Sequence, residues 1–331
     1  MSMPPALRYL HYTGFGLSEI FNIYLFSLIL TKSSKKFGAY KYLMATFTVF
    51  SMVYGVVEVL TQPVMHIEGH ALIVYVDSFL RYDKTIGFPS TALALESVCY
   101  SYPLIFATVT WRCVGHSFFS GKRIFGFFCP ALVFGLIWFI TVVICERPTD
   151  FNSEYLKESL KLLYDEDSYA VAQLSAVYYY YDQKGDLVIH WTQCISIVIL
   201  YSIMGTSIAS MLYFSLKTYK AIQGHTKMSP TTRDLHYQLF YTLVLQSLVP
   251  FVTLFVPVGL LFLMPMFNVN LGYLTNTPGA WISFYPAIDA AIMILMIRNF
   301  RNALFCRKQK SPARITTAFD PVTNTNLRRL S

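Results

Sequence analysis

Residues Leu235–Pro265, LHYQLFYTLVLQSLVPFVTLFVPVGLLFLMP, decide the fold of this chain. The run is 31 residues long and holds no Asp, Glu, Lys or Arg. A helix rises ~1.5 Å per residue, so about 20 apolar residues cross the hydrocarbon core of a bilayer. The run therefore reads as a membrane span. Pro250 and Pro257 lie inside it. Proline lacks an N–H and would break a soluble helix, but neighbouring helices and water can satisfy the freed carbonyls in a membrane. A bend is expected there. Beyond the polar link NVNLGYLTNTP, a second apolar run contains WISFYPAID, Trp281–Asp289. A carboxylate at that depth costs at least ~2.5 kcal/mol on insertion scales, so Asp289, just after Pro286, is read as a group the protein uses.

Composition extends this reading to the whole chain. Of 331 residues, 55% are hydrophobic and only 13% charged, against about 25% charged in globular domains. The chain reads as an all-α membrane protein with no separate soluble domain. Charge-poor runs fall at about 10–31, 42–63, 88–110, 124–145, 191–214, 238–263 and 279–297, which predicts a seven-transmembrane helix bundle. The first run is too long for a signal-peptide core and is taken as an uncleaved first helix.

Orientation follows from the basic residues. Lys32, Lys35, Lys36 and Lys41 lie in the first link, Arg112, Lys122 and Arg123 in the third, Lys217, Lys220, Lys227 and Arg233 in the fifth, and eight more between Arg298 and Arg329. These are 19 of the 26 Lys and Arg, accompanied only by the acids Asp234 and Asp320. The other side has seven basic residues and twelve acids. The positive-inside rule places the first set in the cytoplasm. Residues 1–9 are then a short extracellular amino terminus and 298–331 a cytoplasmic tail. The net charge of +8 reports topology and contact with anionic lipid, not nucleic-acid binding.

One outer link, 146–190, is long. Leu156, Leu160 and Leu163 fall at i, i+4 and i+7, the spacing of a short amphipathic helix. Nine acids lie between Glu146 and Asp186, a charge that can attract cations but more simply keeps a solvated loop soluble. Cys99, Cys113, Cys129, Cys145 and Cys194 lie within or beside spans and read as free thiols. Cys306 lies in IRNFRNALFCRKQK, where Phe300, Leu304 and Phe305 would face lipid beside basic residues. This predicts an amphipathic surface helix after the seventh span, with Cys306 a lipidation candidate.

Enzyme signatures are missing from the sequence. There is no phosphate-cradling glycine loop, CxxC, GxSxG or HExxH. His66 and His70 flank Glu68 in HIEGH, but Gly69 disfavours a rigid helix and no third ligand is evident, so no metal or other cofactor is assigned. Four acids lie inside predicted spans: Glu19, Glu58, Glu96 and Asp289. Glu19 and Glu58 read as paired or protonated acids that fix helix packing. Glu96 lies in the outer half of the third span, and it and Tyr100 are candidate ligand contacts. Asp289 lies deeper beside Pro286, and Asn22 of the first span, placed near the same depth, is its predicted partner.

The run LHYQLFYTLVLQSLVPFVTLFVP, then MPMF, then FYPAIDAAIMILMIRNFRNAL resembles the nematode serpentine chemoreceptors of the Str superfamily, the Str and Srj branches in particular. KSSKKFGAYKYLM (Lys32–Met44) and FCPALVFGLIW (Phe128–Trp138) are similar to that family's first inner loop and fourth span. The resemblance implies a G protein-coupled receptor for environmental small molecules such as odorants, in the ciliary plasma membrane of chemosensory neurons. Its implied partners are a heterotrimeric G protein and membrane lipid. Family members end the third span in a Tyr-Arg-Tyr pattern; here Trp111 and Cys113 flank Arg112 in ATVTWRCVGHS. Arg112, with Trp111, is thereby implied in G protein coupling. The residues alone also admit a seven-helix ligand-gated channel or a small-solute transporter, although the two halves of the chain lack the similarity expected of a duplicated transporter.

Overall fold

The computed structural model describes residues 5–33, 40–87, 125–224 and 230–305. Its helices are α1 (Pro5–Lys32), α2 (Tyr40–Thr61), α3 (Phe125–Cys145), α4 (Asp150–Tyr164), α5 (Trp191–Gly224), α6 (Pro230–Pro250), α7 (Val256–Leu263), α8 (Thr277–Met296) and α9 (Arg298–Leu304). Among the described residues, five helical segments are long and apolar enough to cross a membrane: Pro5–Lys32, Met44–Thr61, Trp191–Gly224, Tyr237–Phe267 and Leu274–Met296. The described apolar part of α3, Leu132–Cys145, counts as a sixth when joined to α4 across an 84° bend. The predicted third span at 88–110 lies outside the described residues.

Exposure in this bundle runs opposite to that in a soluble protein. Ile20, Ile23 and Leu30 of α1, Leu136, Ile140 and Ile144 of α3, and Val198 and Leu212 of α5 are exposed, while Ser18, Asn22 and Ser207 are buried. Apolar side chains outside and polar ones inside suit a hydrocarbon surround, where polar groups must find partners within the protein. The chain is a multi-pass membrane protein.

The two prolines of the sixth span interrupt its α-helical ladder. After Pro250 the backbone makes one π turn, Phe251–Phe255, closed by the Val256 N–H on the Phe251 carbonyl. Pro257 then falls in the first turn of α7, where a missing N–H is tolerated. Such π turns are a recognised source of helix kinks. The seventh span, α8, packs against α1, α2 and α6. Gly14 permits the closest of these approaches, because a Cβ there would lie 2.9 Å from Ser283 Cβ and 3.0 Å from the Ser283 carbonyl.

The all-α expectation needs correction: the fold is mostly helical, with a β layer on one end of the bundle. Strands β1 (Pro63–Glu68), β2 (Ala71–Val76) and β3 (Gln173–Val177) form an antiparallel sheet in the order β1-β2-β3, and β4 (Tyr179–Tyr181) pairs with β5 (Leu187–Ile189). Gly69, at φ +54°, makes the β1–β2 turn, a left-handed conformation that favours glycine. HIEGH is thus a hairpin. His66 is buried in β1 and His70 stacks on Tyr179 at a ring-centroid distance of 3.9 Å.

The link 146–190 is therefore a folded layer, and the solvated-loop reading is also corrected. Thr149 caps α4 by accepting from the Asn152 N–H at 3.2 Å. The predicted leucine stripe packs on the sheet: Leu156 and Leu160, with Tyr164, are buried against Val64, Ile73, Tyr75 and Val177, and Leu163 joins at the edge. Each fully buried leucine contributes about 1.5–3 kcal/mol. The layer's acids are partly paired, since Arg81 binds both Asp77 and Glu166, and Arg8 of α1 reaches Asp77 at 2.6 Å. The layer is also tied to the seventh span: Asn276 accepts from the Met65 N–H at 2.8 Å and donates to the Tyr164 hydroxyl at 3.1 Å.

Burial lowers the His66 pKa from 6.5 to about 4. Neither ring nitrogen has a hydrogen-bond partner among the described residues, and Glu68 lies 3.6 Å away, beyond hydrogen-bonding reach. Because the folded pKa is depressed, the unfolded chain takes up a proton first as pH falls, so this stability is present above about pH 6.5 and is lost towards pH 4. Acidification from pH 7 to pH 5 is expected to remove about 2 kcal/mol through this group. Thermal unfolding followed against pH checks it: His66→Phe keeps the ring contact with Tyr164 and should flatten the slope, and an unchanged slope contradicts the assignment.

Candidate functional site within the helix bundle

Three polar clusters lie along α8, and each joins it to a different part of the bundle. The first is the triangle of His11 (α1), Glu58 (α2) and Ser283 (α8). His11 Nδ1 lies 2.5 Å from Glu58 Oε1, the Ser283 hydroxyl 2.6 Å from the same oxygen, and Ser283 Oγ 2.8 Å from His11 Nδ1. All three residues are buried. The set has the residue types of a hydrolytic triad but not its wiring. There the acid and the serine use opposite nitrogens of the imidazole, whereas here both meet Nδ1. The triangle is a clasp between three helices, in keeping with the packing role expected of Glu58.

The second cluster lies one turn further along. Asn22 Nδ2 donates to the Pro286 carbonyl at 3.2 Å and to the Ser18 carbonyl at 2.9 Å. Helices α1 and α8 are thus joined by a polar contact at the Pro286 carbonyl itself.

The third cluster corrects an expectation. Asn22 is not the partner of Asp289; Gln246 of α6 is, donating from Nε2 to Asp289 Oδ2 at 3.1 Å. Helical rotation explains the difference. Six residues along a helix turn the side-chain direction by ~120°, so α8 presents Ser283 to α1 and α2 but Asp289 to α6. Asp289 Oδ1 and Gln246 Oε1 are both buried with no hydrogen-bond partner among the described residues. Two unpartnered acceptors beside one bond make a half-satisfied contact, in which each orphan atom costs ~1–3 kcal/mol. Gln246 also lies one turn before Pro250 and the π turn, so the contact sits at the point where the sixth span is irregular.

Sequence reading named Pro286, Asp289 and Asn22, which lie in the second and third clusters. It missed His11, Ser283 and Gln246 as site residues. The available signal was a neutral polar residue interrupting an apolar run, which is weaker than a formal charge. Glu96, Tyr100, Trp111, Arg112 and Cys306 lie outside the described residues. The surface helix after the seventh span is present as α9, but Phe300 is buried against the bundle instead of facing lipid, while Leu304 and Phe305 are exposed. Cys145 and Cys194 are free thiols.

The chain matches, over residues 7–305, the model of the serpentine-type 7TM GPCR chemoreceptor family Str. It is similar to "Serpentine receptor class r-10" of Caenorhabditis elegans, 29% identical over 313 residues and covering 90% of each chain. The Caenorhabditis briggsae protein of the same name is 28% identical over 310 residues, again 90% of each. "Serpentine receptor class J-38" of Caenorhabditis elegans is 23% identical over 305 residues, 87% of this chain and 89% of that one. A bundle of helices with apolar outward faces and buried polar clusters within its interior, matched by this family over nearly its whole membrane region, means that the chain belongs to the Str family of serpentine seven-transmembrane chemoreceptors.

Proposed function

We propose that the chain binds an environmental small molecule and converts that binding into activation of a heterotrimeric G protein. The observation that carries the reading is the half-satisfied Gln246–Asp289 contact between the sixth and seventh spans, beside the π turn. A polar contact with spare acceptors can take two arrangements of similar energy, and a ligand that binds one of them better shifts the balance between them. The seven spans run with the amino terminus and β layer outside and the tail in the cytoplasm, supported by the distribution of basic residues. Asp289, Pro286 and Asn22 form the moving joint; Arg112 and Trp111, at the inner end of the third span, meet the G protein; Glu96 and Tyr100 contact the ligand. Cys306 is a lipidation site beside α9. The receptor works in the ciliary membrane of chemosensory neurons and detects odorant-type molecules. A channel or transporter has no observation here in its favour.

The test is expression in cells carrying a G protein reporter, with a tag at Met1 to read surface level in unpermeabilised cells, screened against volatile and water-soluble compounds. A compound that triggers the reporter in the wild type, and at least about tenfold less potently in Arg112→Ala at equal surface level, supports the reading, tenfold being ~1.4 kcal/mol of coupling. Ion currents or solute uptake without any reporter response overturn it.

A further inference from the structure

We infer that the β layer holds its own binding site for a small carboxylate that carries a hydrogen-bond donor beside the acid group, such as a hydroxy acid or an amino acid. Its place is a cavity of about 270 Å³ between the start of α4, the end of β2's following turn and the segment leading into β3. This is below the 300–1,000 Å³ of sites for drug-sized ligands, so the occupant is small. Lys84, Arg147, Thr149, Asp150, Ser153 and Gln173 are among its lining residues.

Four features set the chemistry. Two cations, Lys84 and Arg147, line the cavity against one acid, Asp150. Lys84 donates to the Tyr169 carbonyl, while Arg147 makes no ion pair among the described residues, so its guanidinium is available for a carboxylate, which it can grip with two parallel bonds. The cavity also receives the amino-terminal end of α4, a 15-residue helix capped by Thr149, whose dipole favours an anion.

The independent feature is Gln173. It is 2% exposed, and its Nε2 donates to the Ser168 carbonyl at 2.8 Å and to Ser153 Oγ at 3.3 Å. A carbonyl can only accept, so these bonds fix which end of the amide is nitrogen. Its Oε1 is left buried with no hydrogen-bond partner among the described residues. Gln173 lines the cavity, and its Oε1, closed off in the wall, needs a small turn of the amide to meet a ligand hydroxyl or ammonium; a ligand without that donor leaves the acceptor's desolvation uncompensated. Carboxylate recognition by Arg147 and Lys84, and donor recognition by Gln173 and Asp150, together define the class.

The site rests on the reading that the layer faces the outside, but its test does not use signalling. Purified full-length receptor is heated with increasing L-lactate, L-alanine or propionate, and the unfolding temperature is followed. L-Lactate or L-alanine is expected to stabilise the wild type at concentrations about tenfold below those needed for propionate, which lacks the donor. Arg147→Ala, an exposed position, should fold normally and need about tenfold more of the same compound. Stabilisation by none of the three, equal stabilisation by all three, or an unaltered response in Arg147→Ala overturns the site. Because no G protein is present, these outcomes are separate from those of the reporter assay.

Discussion

Replacing Glu58 by alanine is expected to lower the unfolding free energy of the purified receptor by about 2–4 kcal/mol, from buried hydrogen bonds lost at ~1–3 kcal/mol each. Most of the protein should disappear from the cell surface, since folded proteins hold only 5–15 kcal/mol in reserve. Glu58 Oε1 is the common partner of His11 and Ser283, so its loss removes the acceptor that ties α2 to both other helices and leaves Ser283 only its contacts with His11 Nδ1 and the Gly279 carbonyl. The tight packing of α1 on α8 at Gly14 leaves little room for water to replace it. Glu58→Gln keeps the acceptor oxygen and the shape while removing the charge, and should cost roughly half as much. Thermal unfolding in detergent, alongside surface labelling, decides this: equal stability of Glu58→Ala and wild type would mean that the clasp holds nothing together.

Asp289→Asn is the second large effect, and it falls on signalling. The introduced amide keeps the size of the side chain and can still accept from Gln246 Nε2. Its own N–H groups can also satisfy the Gln246 Oε1 that lacks a partner among the described residues of the wild type. The half-satisfied contact becomes a fuller one, the arrangement seen here gains stability over its alternative, and agonist potency should fall by about tenfold, within the 1–3 kcal/mol typical of coupling between sites. Gln246→Leu does the reverse, leaving Asp289 without its amide partner and raising basal activity. Asp289→Asn should reach the surface in near-normal amounts, and Gln246→Leu in reduced but measurable amounts against which its basal signalling is normalised. Altered signalling at a normal surface level supports the joint; loss of surface protein alone restricts Asp289 to folding, and no change in either removes it from the mechanism.

The five spans that the structure describes as long, apolar helices were legible because hydrocarbon imposes a strong and uniform demand. A stretch such as Leu235–Pro265 must be long, uncharged and internally bonded to cross a bilayer. The β layer was not legible for the opposite reason. Strands β1 and β2 have six residues each and are buried almost throughout, so neither shows the alternation that marks a half-exposed strand. The third strand lies about a hundred residues away in the chain, and its pairing with β2 leaves no local trace. In the site, Asp289 announced itself through the cost of its charge, but its partner depended on which way α8 turns, and a shift of a few residues decides between α1 and α6. His11 and Ser283 are neutral or nearly so in the scales that flagged the acids, and their meeting with Glu58 is a property of the packed bundle.

Asn276 stands at the start of α8 yet does not use its side chain to cap that helix; both ends of its amide are committed to the β layer. The seventh helix is therefore hitched to a broad, rigid plate at one end, while Asn22 holds the Pro286 carbonyl further along. Below that grip, from Pro286 towards Ile297, the helix is closely packed, with Ala290, Met293, Ile294 and Ile297 all buried. Asp289 lies in that packed length, so helix α8 acts as a strut: a displacement of the plate is carried down it to the contact between Asp289 and Gln246.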